Sequence, residues 1–136
     1  MSTTKSTYNC NTFADECARG YIKTAQHIAI SIGESAKIAL YYANLNTPFT
    51  VSNTPATGRQ HVQIADDIAE QAANDIKRVC SAVESYHGLI DDDDVADPDA
   101  DAACKVAIST AREHANEAKQ HAITARQRYD QFKPKI

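Results

Sequence analysis

The strongest structural pattern in the chain lies in residues 104–132, which read CKVAISTAREHANEAKQHAITARQRYDQF. This stretch contains neither Pro nor Gly, and its small or apolar residues recur at alternating steps of four and three, namely Cys104, Ile108, Ala111, Ala115, Ala118, Ala122, Ala125, Tyr129 and Phe132. Such a spacing places one face of an α-helix on a single stripe. Sustained over several heptads, it favours left-handed, coiled-coil-like packing. The stretch therefore predicts a long helix that packs through a seam made mostly of alanine.

Two earlier segments carry the same spacing. The first runs through Ile22, Ala25, Ala29, Ile32, Ala36, Ala39 and Ala43, and the second through Ala65, Ala69, Ala72, Ile76, Val79, Val83 and Tyr86. Gly and Pro cluster between the segments, in Asn46–Gly58 and Gly88–Asp99, so these stretches are expected to be loops. Because the loops are short compared with the helices, neighbouring helices are expected to run antiparallel. The prediction is an all-α fold, an elongated antiparallel up-down-up bundle with Ala-rich, coiled-coil-like heptad packing.

The expected boundaries follow from the same pattern. The chain is predicted to divide into a flexible N-terminal segment, one bundle domain and a tail, at residues 1–10, 11–133 and 134–136. The three helices are expected near residues 11–45, 59–87 and 99–133. Capping residues support these limits, since Asn11 or Thr12 suits the start of the first helix, Asp99 or Asp101 the start of the third, and Gly88 the end of the second.

Composition narrows the class of protein. Of the 136 residues, 43% are hydrophobic and 24% are charged, as in ordinary globular domains. No apolar run approaches the roughly 18–20 residues of a membrane span, and residues 1–7 lack the apolar core of a secretory signal. The net charge of −4 argues against a dedicated nucleic-acid binder. A cytoplasmic protein without membrane contact is therefore expected.

Charge is distributed unevenly along the chain. Residues 1–60 carry five basic and three acidic groups. Residues 61–101 carry two basic and twelve acidic groups, and residues 102–136 carry seven basic and three acidic groups. Five basic residues recur every seven positions beside the third seam: Lys105, Arg112, Lys119, Arg126 and Lys133. The first four form a candidate anion contact. The favoured interpretation is a solvated, salt-bridged helix flank. Antiparallel docking would place Asp66 of the second helix level with Arg126.

The first helix is apolar nearly all round. Beyond its seam it carries Tyr21, Ile28, Ile30, Ile38, Leu40, Tyr41 and Tyr42. Three helices cannot cover all of these side chains, so this helix is predicted to form a self-association or partner surface, with Tyr21, Ile30, Ile38, Tyr41 and Tyr42 as its residues. The alternative is a broad core face in an unevenly packed bundle. Gly33, inside the same helix, is expected to permit either close crossing by another helix or a mild kink.

Metal chemistry has only weak candidates. His114, Glu117 and His121 share one helical face, although half-buried rings flanking the seam are the favoured interpretation. A single E-x-x-H, at Glu84 and His87, argues against a di-iron site, which needs two. Cys10, Cys17 and Cys104 are expected near one end together with His87, and they admit a zinc site, a disulfide or, as favoured, free buried thiols. No metal and no cofactor are predicted.

The acidic run Asp91–Asp101 resembles a calcium loop only superficially. The D-x-D-x-D pattern at Asp97, Asp99 and Asp101 matches the start of an EF-hand loop. In that register, counted from Asp97, the sixth and twelfth positions are Ala102 and Ile108, where Gly and Glu are required. A solvated loop that favours the following helix N-terminus explains the carboxylates better, and phosphate mimicry is a second interpretation.

No motif in the sequence indicates a particular enzymatic reaction. The chain has no G-x-S-x-G motif, no dinucleotide-binding glycine pattern and no P-loop. The leading hypothesis is an oligomeric, non-enzymatic protein–protein interaction module of the adaptor, regulator or inhibitor kind. Small regulators of phages and mobile elements are often helical proteins of this kind, without a reaction motif. A helical oligomer that binds a nucleotide-like ligand through Tyr21, Tyr41 and Tyr42 is the alternative. A metal-binding bundle is the third hypothesis.

Overall fold

The chain folds into three long helices. The computed structural model describes residues 8–48, 54–89 and 98–132, with side chains from Arg19 onward, except that of Pro98. The helices are α1 (Tyr8–Leu45), α2 (Pro55–Leu89) and α3 (Pro98–Phe132). Each helix packs against both others, with no strand in the described ranges. The predicted all-α, up-down-up bundle is thus confirmed, and α1 and α3 run parallel while α2 runs against both.

All three helices begin earlier than the sequence pattern predicted, at Tyr8, Pro55 and Pro98 instead of near residues 11, 59 and 99. Pro55 and Pro98 are the first residues of α2 and α3, a position where a missing backbone N–H costs nothing. Thr54 caps α2, because its hydroxyl accepts a hydrogen bond from the Thr57 N–H at 3.2 Å.

The predicted caps are corrected accordingly. Asp99 and Asp101 lie inside the first turn of α3, where carboxylates complement the helix dipole. Asn11 and Thr12 lie inside α1, and Gly88 lies inside α2 rather than beyond its end. Residues 1–7 and 133–136 lie outside the described residues, and with them the whole predicted tail and most of the predicted flexible segment, whose last residues, 8–10, belong to α1.

The alanine seams form the core. All seven predicted seam residues of α1 are buried, as are Cys104, Ala111, Ala115, Ala118, Ala122 and Ala125 of α3. Ile32 and Val79 are the largest apolar side chains that are almost wholly buried. Ile28, which the sequence suggested as surplus apolar surface, belongs to this core. Because alanine extends so little from the helix, the axes approach closely and stability accumulates along the length of the bundle.

At Gly33 a side chain of α3 lies against the backbone of α1. The imidazole of His114 occupies the space beside it, so that a β-carbon added to Gly33 would lie 3.0 Å from both Cδ2 and Nε2 of the ring. Gly33 therefore lets a large side chain of α3 lie against the backbone of α1.

A polar network closes the bundle where α1 ends. Asn46 is 1% exposed, and its amide nitrogen donates hydrogen bonds to the carbonyls of Ala125, at 2.9 Å, and Gly58, at 3.2 Å. Its oxygen therefore accepts from His61, whose Nδ1 lies 2.8 Å away and must carry the proton. Nothing in the sequence pattern singled out this network.

Arg128 of α3 also ties down the end of α1. Its guanidinium donates to the carbonyl of Ala43 at 2.8 Å and to the side-chain oxygen of Asn44 at 3.2 Å. A cation at a helix C-terminus satisfies carbonyls that lack partners within the helix.

Candidate interaction surface

Most of the exposed apolar surface lies on α1. Six of the nine large hydrophobic side chains that are exposed in the described ranges belong to this helix, against two for α3 and one for α2. Four of the six point away from the other two helices: Ile30, Ile38, Tyr41 and Leu45, with exposed fractions of 60%, 49%, 58% and 36%. A helical turn of 100° per residue puts them on the side opposite the buried seam.

Two charged residues complete this surface. Glu34 and Lys37 are exposed on the same side of α1, and the Lys37 ammonium lies 3.6 Å from the Glu34 carboxylate. We refer to Ile30, Glu34, Lys37, Ile38, Tyr41 and Leu45 as the outer face of α1. It extends over 15 steps of the helix, about 22 Å at 1.5 Å per residue.

The structure divides the five residues predicted to form the partner surface. Ile30, Ile38 and Tyr41 lie together on the outer face. Tyr21 is exposed, but it lies nine residues before Ile30 and so points to the opposite side of the helix. Tyr42 is half-buried, and its ring packs 5.7 Å from that of His61 on α2 and edge-on to Tyr41.

Besides the charged residues Glu34 and Lys37, sequence reasoning missed one apolar residue of the outer face, Leu45. It follows Ile38 by seven residues, which is the spacing of one helical stripe. That second, outward stripe was the signal that could have found it.

A cleft of about 430 Å³ lies beside the outer face, between α1 and α3. Its lining includes Ile30, Leu40, Glu34 and Lys37 from α1. The α3 side is formed by His114, Glu117 and His121, the three weak metal candidates. The structure thus brings the candidate metal ligands next to part of the predicted partner surface.

These three side chains are arranged around a hydrogen bond. His114 donates from Nδ1 to a carboxylate oxygen of Glu117 at 2.8 Å, and both histidines are half-buried beside the seam. Among the side chains that the structure describes, no three of His, Cys, Asp or Glu lie close enough together to hold a metal ion. The arrangement orients the His114 ring against Gly33.

The basic stripe lies on the other flank of α3. Lys105, Arg112, Lys119 and Arg126 are exposed, and Arg126 forms a salt bridge with Asp66 of α2, as the antiparallel docking predicted. Since His114 contacts α1 on the opposite flank, the stripe does not contribute to the cleft.

The cysteine end is described in part. Cys104 is buried and Cys80 half-buried, and both are free thiols. Burial and the nearby carboxylate of Asp101 raise the pKa of the Cys104 thiol. His87 lies 3.8 Å from Asp101 across the α2–α3 end. The side chains of Cys10 and Cys17 and the acidic residues Asp91–Asp97 lie outside the described part.

None of the described helices combines the length and the hydropathy needed to cross a membrane. Comparison of the chain with protein-family models, with curated proteins and with solved structures finds no match.

Proposed function

We propose that the protein is a non-enzymatic protein–protein interaction module, an adaptor, regulator or inhibitor, that acts in the cytoplasm through the outer face of α1. The observation that carries this proposal is the concentration of exposed Ile, Leu and Tyr side chains on a single helix face. Contiguous apolar surface of this kind marks contact sites, since covering it with another protein removes it from water.

The shape of the surface favours a protein over a small molecule. The outer face is the convex side of one helix, extended over several turns, whereas small-ligand sites are concave and enclose most of the ligand. Its apolar residues are accompanied by the Glu34–Lys37 pair, and a polar rim around an apolar centre is typical of protein interfaces.

The nucleotide-binding alternative has less support. Tyr21 and Tyr41 lie on different sides of α1, and Tyr42 is half-buried against His61, so the three rings do not form one stacking platform. The cleft between α1 and α3 has the volume of a ligand site, but its carboxylates, Glu34 and Glu117, outnumber the single Lys37 ammonium. Such a lining opposes the binding of phosphates.

Affinity capture tests the proposal. Tagged wild-type chain, the double variant Ile38→Glu/Tyr41→Glu and the control Val106→Glu are each used as bait in an extract of the source cells, after thermal melts show that all three fold. Val106 is a matched control because it is 61% exposed and lies on α3. We expect wild type and the control to retain the same protein, a resident copy of the chain included, and the double variant to lose it. Identical retention by all three baits would overturn the proposal.

A further inference from the structure

We propose that the occupant of the outer face is a second copy of this chain, docked antiparallel so that a two-fold axis passes between residues 37 and 38 of the two α1 helices. This inference rests on the proposed function and names the partner. It would make the protein a dimer joined by a two-helix contact, with α2 and α3 of each copy behind its own α1.

The spacing of the outer face is the same in both directions. Its residues 30, 34, 37, 38, 41 and 45 are separated by steps of four, three, one, three and four, and all six are exposed. A two-fold interface requires one surface to complement itself, with residue i contacting j and j contacting i. In the antiparallel arrangement, two residues from different copies lie level when their numbers add up to 75. Residue 30 of one copy therefore faces residue 45 of the other, 34 faces 41, and 37 faces 38.

The chemistry of these levels is complementary. Ile30 lies level with the second copy's Leu45, so apolar ends meet. Glu34 lies level with the second copy's Tyr41, whose hydroxyl can donate to the carboxylate. Ile38 lies level with the second copy's Lys37, whose methylene chain can cover it, and about one residue along the axis from the second copy's Ile38. Each Ile38 is 49% exposed in the single chain.

Charge selects the antiparallel orientation. In a parallel pair, Glu34 would face Glu34 and Lys37 would face Lys37, and both contacts repel. In the antiparallel pair, each Lys37 keeps its own Glu34 at 3.6 Å and lies about four residues, or roughly 6 Å, along the axis from the second copy's Glu34. Along the contact the order is Glu34, Lys37, the second copy's Lys37 and the second copy's Glu34, so the two ammonium groups lie together between the two carboxylates. The two Glu34 carboxylates are then about seven residues, or roughly 10 Å, apart, and only the Lys37–Lys37 repulsion of the parallel pair is kept.

Sedimentation equilibrium tests whether the dimer forms. We expect the wild-type chain, of 14.8 kDa, to reach twice that mass as its concentration rises from about 1 to 200 µM, because association follows mass action. Ile38→Lys should stay monomeric, since two further ammonium groups would join the two Lys37 ammonium groups at the axis. Val106→Lys, at an exposed position of α3, should dimerise like wild type. A wild-type chain that stays monomeric throughout, or an Ile38→Lys variant that dimerises equally well, would overturn the inference.

Disulfide trapping tests the orientation. Single cysteines are introduced as Ile30→Cys, Ile38→Cys and Leu45→Cys in a full-length chain whose native cysteines are replaced by Ser or Ala, with melting curves to show that the background folds. We expect Ile38→Cys to cross-link to itself and Ile30→Cys to cross-link only when mixed with Leu45→Cys. Equivalent positions 30 and 45 are about 22 Å apart in the antiparallel pair, far beyond disulfide reach. Self-cross-linking of Ile30→Cys and Leu45→Cys would indicate the parallel dimer and overturn the proposal.

The two proposals fail separately. If the chain is monomeric but the outer-face variant still loses a captured protein, the second copy is rejected as the occupant and the interaction module stands. If the chain is monomeric and captures the same proteins with and without the outer-face substitutions, both proposals are rejected.

Discussion

The imidazole ring of His114 lies directly against the backbone of Gly33, and a β-carbon on Gly33 would meet two of its atoms at 3.0 Å. The ring is held there by its hydrogen bond to Glu117. Both residues line the cleft beside the outer face. The absence of a side chain at Gly33 thus leaves room for a large side chain of α3 next to the surface that we propose is functional.

Gly33→Ala is expected to stabilise the protein less than Gly20→Ala does. Both glycines lie inside α1, where Ala gains up to about 1 kcal/mol over Gly in helix propensity. A β-carbon at Gly20 has nothing within 4 Å, whereas at Gly33 it presses on the His114 ring. Urea unfolding of the two variants measures the difference. In a His114→Ala background the two substitutions should become equivalent, and equal effects with His114 present would contradict this account.

Asn46→Ala is expected to destabilise the fold by about 2–3 kcal/mol, because it leaves buried partners without hydrogen bonds. The amide nitrogen contacts the carbonyls of Gly58 and Ala125, and the oxygen accepts from His61. Asn74→Ala, at an exposed position of α2, is the control and should change the free energy of unfolding by only a few tenths of a kcal/mol. Equal denaturation midpoints for the two variants would rule out a structural role for the network.

Stability is expected to fall as the pH is lowered below about 7, in part through His61. Burial lowers the pKa of this imidazole from its ordinary value of 6.5, so the unfolded chain binds the proton more readily than the folded chain. The contribution of His61 is complete above pH 6.5, declines as the pH falls through that value, and levels off below the lowered pKa of the folded state. Chemical denaturation at pH 7.5 and 5.5 measures it.

His61→Gln should show a smaller loss of stability between these two pH values than wild type, because the titrating group is gone. His27→Gln, at an exposed position of α1, should lose as much stability as wild type. If all three proteins respond identically to pH, the burial of His61 has no thermodynamic consequence.

Cys104 is expected to react with iodoacetamide more slowly than Cys80. The thiolate is the reactive form, and both burial and the Asp101 carboxylate raise the pKa of Cys104. Cys80 is half-buried on α2 and more accessible. Peptide mass spectrometry after brief alkylation measures each site separately. In urea the two rates should converge, and faster labelling of Cys104 in the native protein would contradict the structure.

Local patterns were sufficient to predict the bundle. The 3–4 spacing specifies which face of each helix is buried, and clusters of Gly and Pro mark where the chain turns, because both depend only on backbone geometry over a few residues. The same logic correctly placed Asp66 level with Arg126, and it singled out Gly33, where a side chain of α3 lies against α1. The helices begin three, four and one residues before the expected positions, and for α2 and α3 the reason is that Pro55 and Pro98 were assigned to loops, although proline also suits the first turn of a helix.

Only the tertiary structure showed which side of α1 remains uncovered. The sequence marks this helix as apolar nearly all round, but the rotation of α1 against two neighbours decides that Ile28 and Tyr42 turn inward while Ile38 and Leu45 stay outside. Asn46 makes the same point, since its partners lie 12, 15 and 79 residues away along the chain. Burying a polar side chain is favourable only where such distant groups converge, and that convergence is a property of the packed bundle.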